Sequence, residues 1–451
     1  MAKLGPKETL IVEEIVPDWT PEEEIAVIKK IDWYLLPLVL AIHFMASMDA
    51  GNLGQARAYS LDAQTGLGRM ERDLGMVSGD FNNLSSVNYI VLLFLEPVSN
   101  FFLMKFKPHI WLSRIMITWG ICATVTSVVT DFPGLLICRV FLGISEAGLT
   151  PGLMLAFSYW YSPRELLNRV ATLHIAGSIV SFLSAITAGL VFYLDSPTSP
   201  AWRWLFLIEG APSIILGIFC IILFPDGPEV ATFLTPRGRR IAIERLKLAD
   251  PASRKGRDFV WKDALPVYTK LETWLHIAAL LLSLLPAVTM KFFMPTLLAQ
   301  VGFTGASIQY ATIPPHAFGV VAVIIVSWIV YRVDDRSIVH IVGNLAGAVG
   351  YVVLAFSQSA TLSYGKSVLA LAASGSNVAG ILGSQLYRAK DAPRYTNAHL
   401  IVAGALCVSA LVVLTLRIIY MVKNSHIKAR IEQKKLMGEK PSDADTFVYP
   451  L

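Results

Sequence analysis

The chain lacks every residue arrangement that would mark it as a common enzyme or pump. It has no Gly-x-x-x-x-Gly-Lys-Ser/Thr loop to cradle phosphates, no His-Glu-x-x-His zinc pair and no Gly-x-Ser-x-Gly nucleophile turn. These absences argue against an ATP-driven pump and leave no catalytic set, so no enzyme activity and no cofactor are expected. Cysteine is scarce. Cys122, Cys138, Cys220 and Cys407 all lie in apolar runs without metal or redox spacing, as reduced, packed thiols do. Charge is scarce too, at 16% of residues, well below the share in soluble domains. The first thirty residues are polar and partly acidic, with no apolar core of a cleavable signal peptide, so the first long apolar run would serve as the insertion signal. The formal net charge of +5 is no mark of nucleic-acid binding, because the basic residues collect beside apolar segments.

What the chain has instead is hydrophobicity, at 54% of residues, in runs long enough to cross a bilayer as helices. Spans are expected at 35–54, 84–104, 112–130, 134–157, 170–193 and 204–224, then at 273–297, 310–331, 338–356, 366–386 and 398–422. A charged stretch separates the two groups. The expected organisation is therefore an N-terminal cytoplasmic tail (1–34), a six-helix bundle (35–224), a cytoplasmic central loop (225–272), a C-terminal bundle of five spans (273–422) and a basic tail (423–451). Within the central loop, residues 240–248 fit an amphipathic helix with Ile241, Ile243 and Leu246 near one side, lying at the membrane surface. The C-terminal tail reads as polar and disordered.

Orientation follows from lysine and arginine. The central stretch holds Arg237, Arg239, Arg240, Arg245 and Lys247 among its basic residues, so it belongs in the cytoplasm, and counting back six spans puts the N-terminus there too. The count then fails. Eleven spans would leave the tail outside, yet Lys423, Lys428, Arg430, Lys434 and Lys435 mark it as cytoplasmic.

Charged residues within spans are costly unless they face a wet cavity or a partner, and so they are the functional candidates. In the fourth span, Arg139 and Glu146 stand seven apart on one helix face with Gly143 between them, followed by Gly148, Pro151 and Gly152. Arg139 either lines a cavity or snorkels from a helix end. In the first span, Asp49 and Asn52 share a face, as a proton-exchanging acid with a polar neighbour or as a gate pair. The second span aligns Asn88, Glu96 and Asn100 on one side, with Pro97 next to Glu96. Lys291 is the one lysine well inside a span of the second half, suited to an anionic substrate, to pairing with Glu146 or Asp49, or to snorkelling. Trp202, Arg203 and Trp204 suit a membrane interface, and Glu209 below them can help line a cavity. His43, His174 and His316 read as hydrogen-bonded core residues or proton relays.

These residues resemble the major facilitator superfamily and, more narrowly, the fungal anion:cation symporter family that includes allantoate permease. The resemblance covers about residues 32–425 and rests on Asp49–Gly54, Phe94–Asn100, Cys138–Gly152, Trp202–Gly210, Phe224–Pro228 and Phe293–Leu297. It implies an all-α membrane fold of two six-helix halves about a central site, and symport of a small organic or vitamin-like anion with protons by a plasma-membrane monomer. Arg139, Lys291, Asn52 and Asn88 would contact substrate. Asp49 and Glu146 would couple protons, while Gly143, Gly148, Pro151, Gly152, Glu96 and Pro97 would pack or gate helices. Departures are Ala50 where the family has a base, and Lys291, His43 and His316 where it has apolar or aromatic residues. Little between Phe356 and Gly365 resembles the family's tenth helix, which would account for the failed count. Export of a metabolite, or a non-transporting sensor made by that loss, are the alternatives.

Overall fold

The computed structural model describes residues 17–60, 67–77, 79–249, 266, 268–300, 302–333, 335–356 and 395–437. The apolar run expected at 366–386 and the expected gap at the tenth helix lie outside these residues. Every regular element among the described residues is helical. Helix α1 (Pro21–Ala58) starts fourteen residues before the expected span. Its start is a capping box, in which the Thr20 hydroxyl and the Glu23 carboxylate each accept the other residue's amide proton, with Pro21 and three acids in the first turn. Then follow α2 (Arg69–Asp73), α3 (Asp80–Lys105), α4 (Pro108–Thr126), α5 (Phe132–Glu146), α6 (Leu149–Ser158), α7 (Pro163–Val191) and α8 (Ala201–Leu223). After α9 (Pro236–Ala249) come α10 (Leu271–Gln300), α11 (Ala306–Ala311), α12 (Ile313–Arg332), α13 (Arg336–Phe356) and α14 (Thr396–Leu436). Six of the described stretches are long and apolar enough to cross a membrane on composition alone, and α1 and α3 reach that length while carrying buried polar residues.

Three boundaries depart from the apolar pattern. The fourth span breaks at Ala147–Gly148, where Gly148 takes a φ of 86° that a side chain would resist. The run at 310–331 divides into α11 and α12 at Thr312. Helix α14 continues to Leu436, so the disorder expected from residue 423 is corrected as far as that point. Residues 423–436 contain no glycine or proline and are rich in good helix formers, and Lys423 pairs with Glu272 at the start of α10. Trp202 is also fully buried, its indole donating to Asp73 at 2.9 Å, so it is no interfacial anchor.

Helix α9 is clamped to the bundle rather than floating on a surface. It buries Ile241, Ala242 and Arg245. The Arg245 guanidinium donates to Glu165 at 2.8 and 2.9 Å and to the Trp160 carbonyl at 2.6 Å. Arg237 grips both oxygens of Glu23 at 3.0 and 2.9 Å. That bond, with the Thr20 amide, holds the Glu23 carboxyl below its ordinary value. A depressed carboxylate stabilises the fold above its unfolded value, and the contribution vanishes as pH falls through the folded value. Docking of α9 is therefore expected to be constant from pH 7 to 5 and to loosen in stronger acid, seen as faster hydrogen exchange across 236–249.

The buried apolar residues form two clusters at opposite ends. At the end that carries α9, hereafter the basic end, one cluster runs from Ile31 and Leu35 through Trp119, Phe157 and Trp160 to Phe224 and Ala242. Every residue of it precedes α10. At the far end, a second cluster joins both groups of helices, from Leu53, Tyr59, Phe81 and Trp202 to Phe293, Ile308, Tyr351 and Val402. Phe81 meets Phe293 edge-on with ring centres 6.0 Å apart, and Gln309 donates to the Gln55 carbonyl at 3.0 Å. The two halves are thus sealed together at the far end. Since Ala348 and Tyr351 near the end of α13 and Tyr395 before α14 belong to that cluster, both described flanks of 357–394 lie there. Lys423 and Arg417 on α14 pair with Glu272 and Asp335, so α14 ends at the basic end, the side its lysines and arginines call for.

Candidate functional site

Midway between these clusters, α1, α3, α5, α8 and α10 bring charged side chains to one place. Asp49 and Asn52, one turn apart on α1, are buried, and the Asn52 amide donates to Asp49 at 2.6 Å. The Asn52 oxygen in turn accepts from Arg139 on α5 at 3.4 Å. Asn52 therefore sits between an acid and a base, with both ends of its amide in use. Arg139 is 6% exposed, which rules out snorkelling. Its guanidinium lies 5.1 Å from the Phe206 ring centre, and its Nε has no partner. A guanidinium has five donors. Buried on an aromatic face and held by one long bond, this one retains the capacity to grip a carboxylate in bidentate fashion.

Glu146 ends α5 at the Gly148 break, about two turns from Arg139. Around it stand Asn88 on α3, Glu96, Asp49 and Lys291. The Asn88 oxygen has no hydrogen-bond partner. It can come this close because α3 packs on Gly143, where a Cβ would fall 2.8 Å from that oxygen. Lys291, on α10 between Pro286 and Pro295, faces Glu146 and Asp49 rather than a membrane surface. Pro151 and Gly152 belong to α6, whose first backbone bond runs from Gly152 to the Gly148 carbonyl at 2.8 Å. The side chains of Pro97 and Asn100 lie outside the described residues.

Glu209 on α8 completes the cluster. It is 3% exposed, neither carboxylate oxygen has a hydrogen-bond partner, and it faces Arg139, Asp49 and Asn52. Its depth below Trp202 is legible as a cavity position, but its meeting with Arg139 depends on how α8 and α5 are placed about α1. Three acids (Asp49, Glu146 and Glu209) thus face two bases (Arg139 and Lys291), and a fourth acid, Glu96, stands against Glu146. Buried unpartnered polar atoms in a native fold call for an explanation, such as a ligand or ordered water. Chemically, the arrangement can hold an anion on its bases and exchange a proton on its acids.

The sequence matches the family profile described as Major Facilitator Superfamily over residues 39–417. It is 30% identical over 372 residues to "MFS transporter prlL" of a fungal species (strain NRRL 50135), covering 82% of this chain and 74% of that one. It is 27% identical over 344 residues to "Putative tartrate transporter" of Agrobacterium vitis, covering 76% and 73%. Among solved structures, the partially occluded, inward-open xylose transporter XylE from E. coli superposes with a TM-score of 0.55 at 11% identity, over 84% of this chain and 91% of that one. Family profile, relatives and helical architecture agree: the chain is an integral, multi-pass membrane protein and belongs to the Major Facilitator Superfamily of transporters.

Proposed function

We propose that the protein is a proton-coupled symporter of a small organic anion, working by alternating access in the plasma membrane as a monomer of the anion:cation symporter type. The observation that carries this reading is Arg139, a buried guanidinium with unspent donors, facing Glu209, whose carboxylate oxygens also lack hydrogen-bond partners. Arg139 and Lys291 hold the anion, and Asn88 supplies a polar contact. Asn52 contributes by fixing the Arg139 guanidinium against Asp49. Gly143, Gly148, Pro151 and Gly152 set helix approach around the site, with Glu96 and Pro97 in the gate. The domain plan is that of the sequence: residues 35–224 and 273–422 rock against each other, linked by the basic loop 225–272, with 1–34 and 423–451 in the cytoplasm. By the positive-inside rule the basic end is cytoplasmic, so the sealed far end corresponds to an inward-facing state.

Charge arithmetic favours protons as the coupling ion. Three acids against two bases, with Glu96 beyond them, leave a formal excess of at least one negative charge. An anion added to that site at low effective dielectric meets repulsion of several kcal/mol unless a proton enters with it. Asp49 or Glu146 is the acceptor. A name containing tartrate, borne by one relative, is consistent with an organic acid as cargo.

The test is uptake into proteoliposomes, alkaline inside, of radiolabelled tartrate, succinate, lactate, nicotinate and pantothenate. One pH unit supplies about 1.4 kcal/mol, enough for about tenfold accumulation per coupled proton. At least one of these anions is expected to accumulate, and collapse of the gradient to abolish the effect. Indifference of all five to the gradient would reject proton coupling. Glu146→Gln is expected to reduce accumulation to equilibration while leaving anion exchange at equal pH largely intact, as measured by counterflow.

A further inference from the structure

His43 has no part in the reading so far, and its surroundings give it one. It lies on α1 about 9 Å toward the basic end from Asp49. Its Nε2 stands 3.4 Å from the Ser47 hydroxyl. Across the interface α7 presents Gly177 to the ring, and a Cβ there would sit 3.0 Å from Nε2. The charged and titratable groups facing His43 are Lys291 from α10 and His174 from α7, with the Leu173 carbonyl also turned toward the ring. On its own helix Asp49 is the nearest acid toward the far end, and Asp32, bound by Arg169 and Tyr161, is the nearest toward the basic end. His174 is exposed, and its Nδ1 donates to the Val170 carbonyl at 2.9 Å. Its Nε2 is therefore the proton-accepting nitrogen of the neutral ring.

These two histidines open a longer seam. On α1, His43, Ser47, Gly51 and Gln55 recur every fourth residue on one face. On α7, Gly177, Ser181 and Ser184 answer them, and Gln55 donates to Ser184 at 3.0 Å where the seam reaches the sealed far end. A row of small and polar side chains lets two helices pack closely, and this one, closed at the far end and ending in an exposed imidazole, also lines up hydroxyl and imidazole groups that can pass a proton.

Resting on the proton-coupled reading above, we propose that His43 is the relay that carries the coupled proton from the charged cluster to the basic-end opening, with His174 as the exit. Each passage transfers one proton. An acid of the cluster gives up its O–H proton to water, which carries it across the intervening distance of about 9 Å to an imidazole nitrogen of His43, and the imidazolium passes a proton to His174 Nε2 or to water, regenerating neutral His43. No other bond changes and no co-reactant is consumed.

The experiment uses His43→Ala and His43→Gln in proteoliposomes with the same five anions. Entry of protons is read with a trapped pH dye, and anion exchange by counterflow at equal pH. Gradient-driven initial rates are expected to fall at least tenfold in both variants, with counterflow within twofold of the native protein. Imidazole in the medium is expected to restore His43→Ala, since the vacated volume borders Gly177, with a pH profile following imidazole's own titration; His43→Gln, which fills that volume, should not respond. Native gradient-driven rates and pH profile in His43→Ala would overturn the relay. So would equal loss of counterflow and accumulation without imidazole rescue, which marks a structural role. Native protein that ignores the gradient for all five anions overturns the coupled reading and the relay together.

Discussion

Arg139→Ala is expected to abolish uptake. Arg139 is buried against Asn52 and the Phe206 ring, and with Lys291 it faces three acids. Removing it strips the anion of its guanidinium partner and leaves those acids facing one base. Truncating one member of a buried charged pair costs about 2–5 kcal/mol, or about 30- to 4000-fold in affinity at about 1.4 kcal/mol per decade. Arg139→Lys restores the charge without the planar fork or the stacking surface. It should recover less than about a tenth of the native rate. Initial uptake rates, paired with thermal melting to confirm folding, are the measurement. Unchanged transport by a folded Arg139→Ala protein would remove this residue from the binding site.

Gly54→Val should be nearly as damaging, for a steric reason. A Cβ on Gly54 would lie 2.9 Å from the carbonyl oxygens of Lys291 and Phe292 and 3.0 Å from the Phe292 Cα. These are backbone atoms, so no side-chain rotation can relieve the clash. Overpacking costs about 1–3 kcal/mol where neighbours can shift, and more is expected where two helix backbones must part. The far-end seal should open, making Gln309→Cys, at a position 1% exposed in the native fold, reactive to an impermeant thiol reagent from that side. Uptake should fall at least tenfold. Gly319→Val on α12 is the control, because nothing lies within 4 Å of its Cβ position. If Gly54→Val transports at the native rate and Gln309→Cys stays protected, the close crossing of α1 and α10 is not required.

The described membrane helices are legible in the sequence because lipid imposes length and apolarity on each span separately. The break after Glu146 was not, since it depends on the backbone angle of Gly148, and three nearby small or turn-forming residues (Thr150, Pro151 and Gly152) offered competing positions. Arg139, Glu146, Asp49 and Lys291 stood out because charge in a span is expensive, and the fold brings all four to one site. Asn52 was legible as polar but not as a bridge, because its second partner is 87 residues away. For the same reason the sequence alone places α9 on a membrane surface: Arg245 is one base among many there, and Glu165, the acid that docks it, lies 80 residues earlier. Periodicity reports the face a helix buries; it carries no record of which distant residue that face meets.

The two apolar clusters carry different mechanical burdens on the proposed cycle. The one confined to the helices before α10 stays shut throughout, so greasier packing there only toughens the protein. The one that joins the halves must come unstuck at every turnover. Each extra methylene buried in it adds about 0.8 kcal/mol of adhesion and, if that is felt in the opening step, slows release about fourfold. Heat resistance gained in that adhesive patch is bought with speed, whereas the same gain near Trp119 or Phe157 leaves the carrier as quick as before.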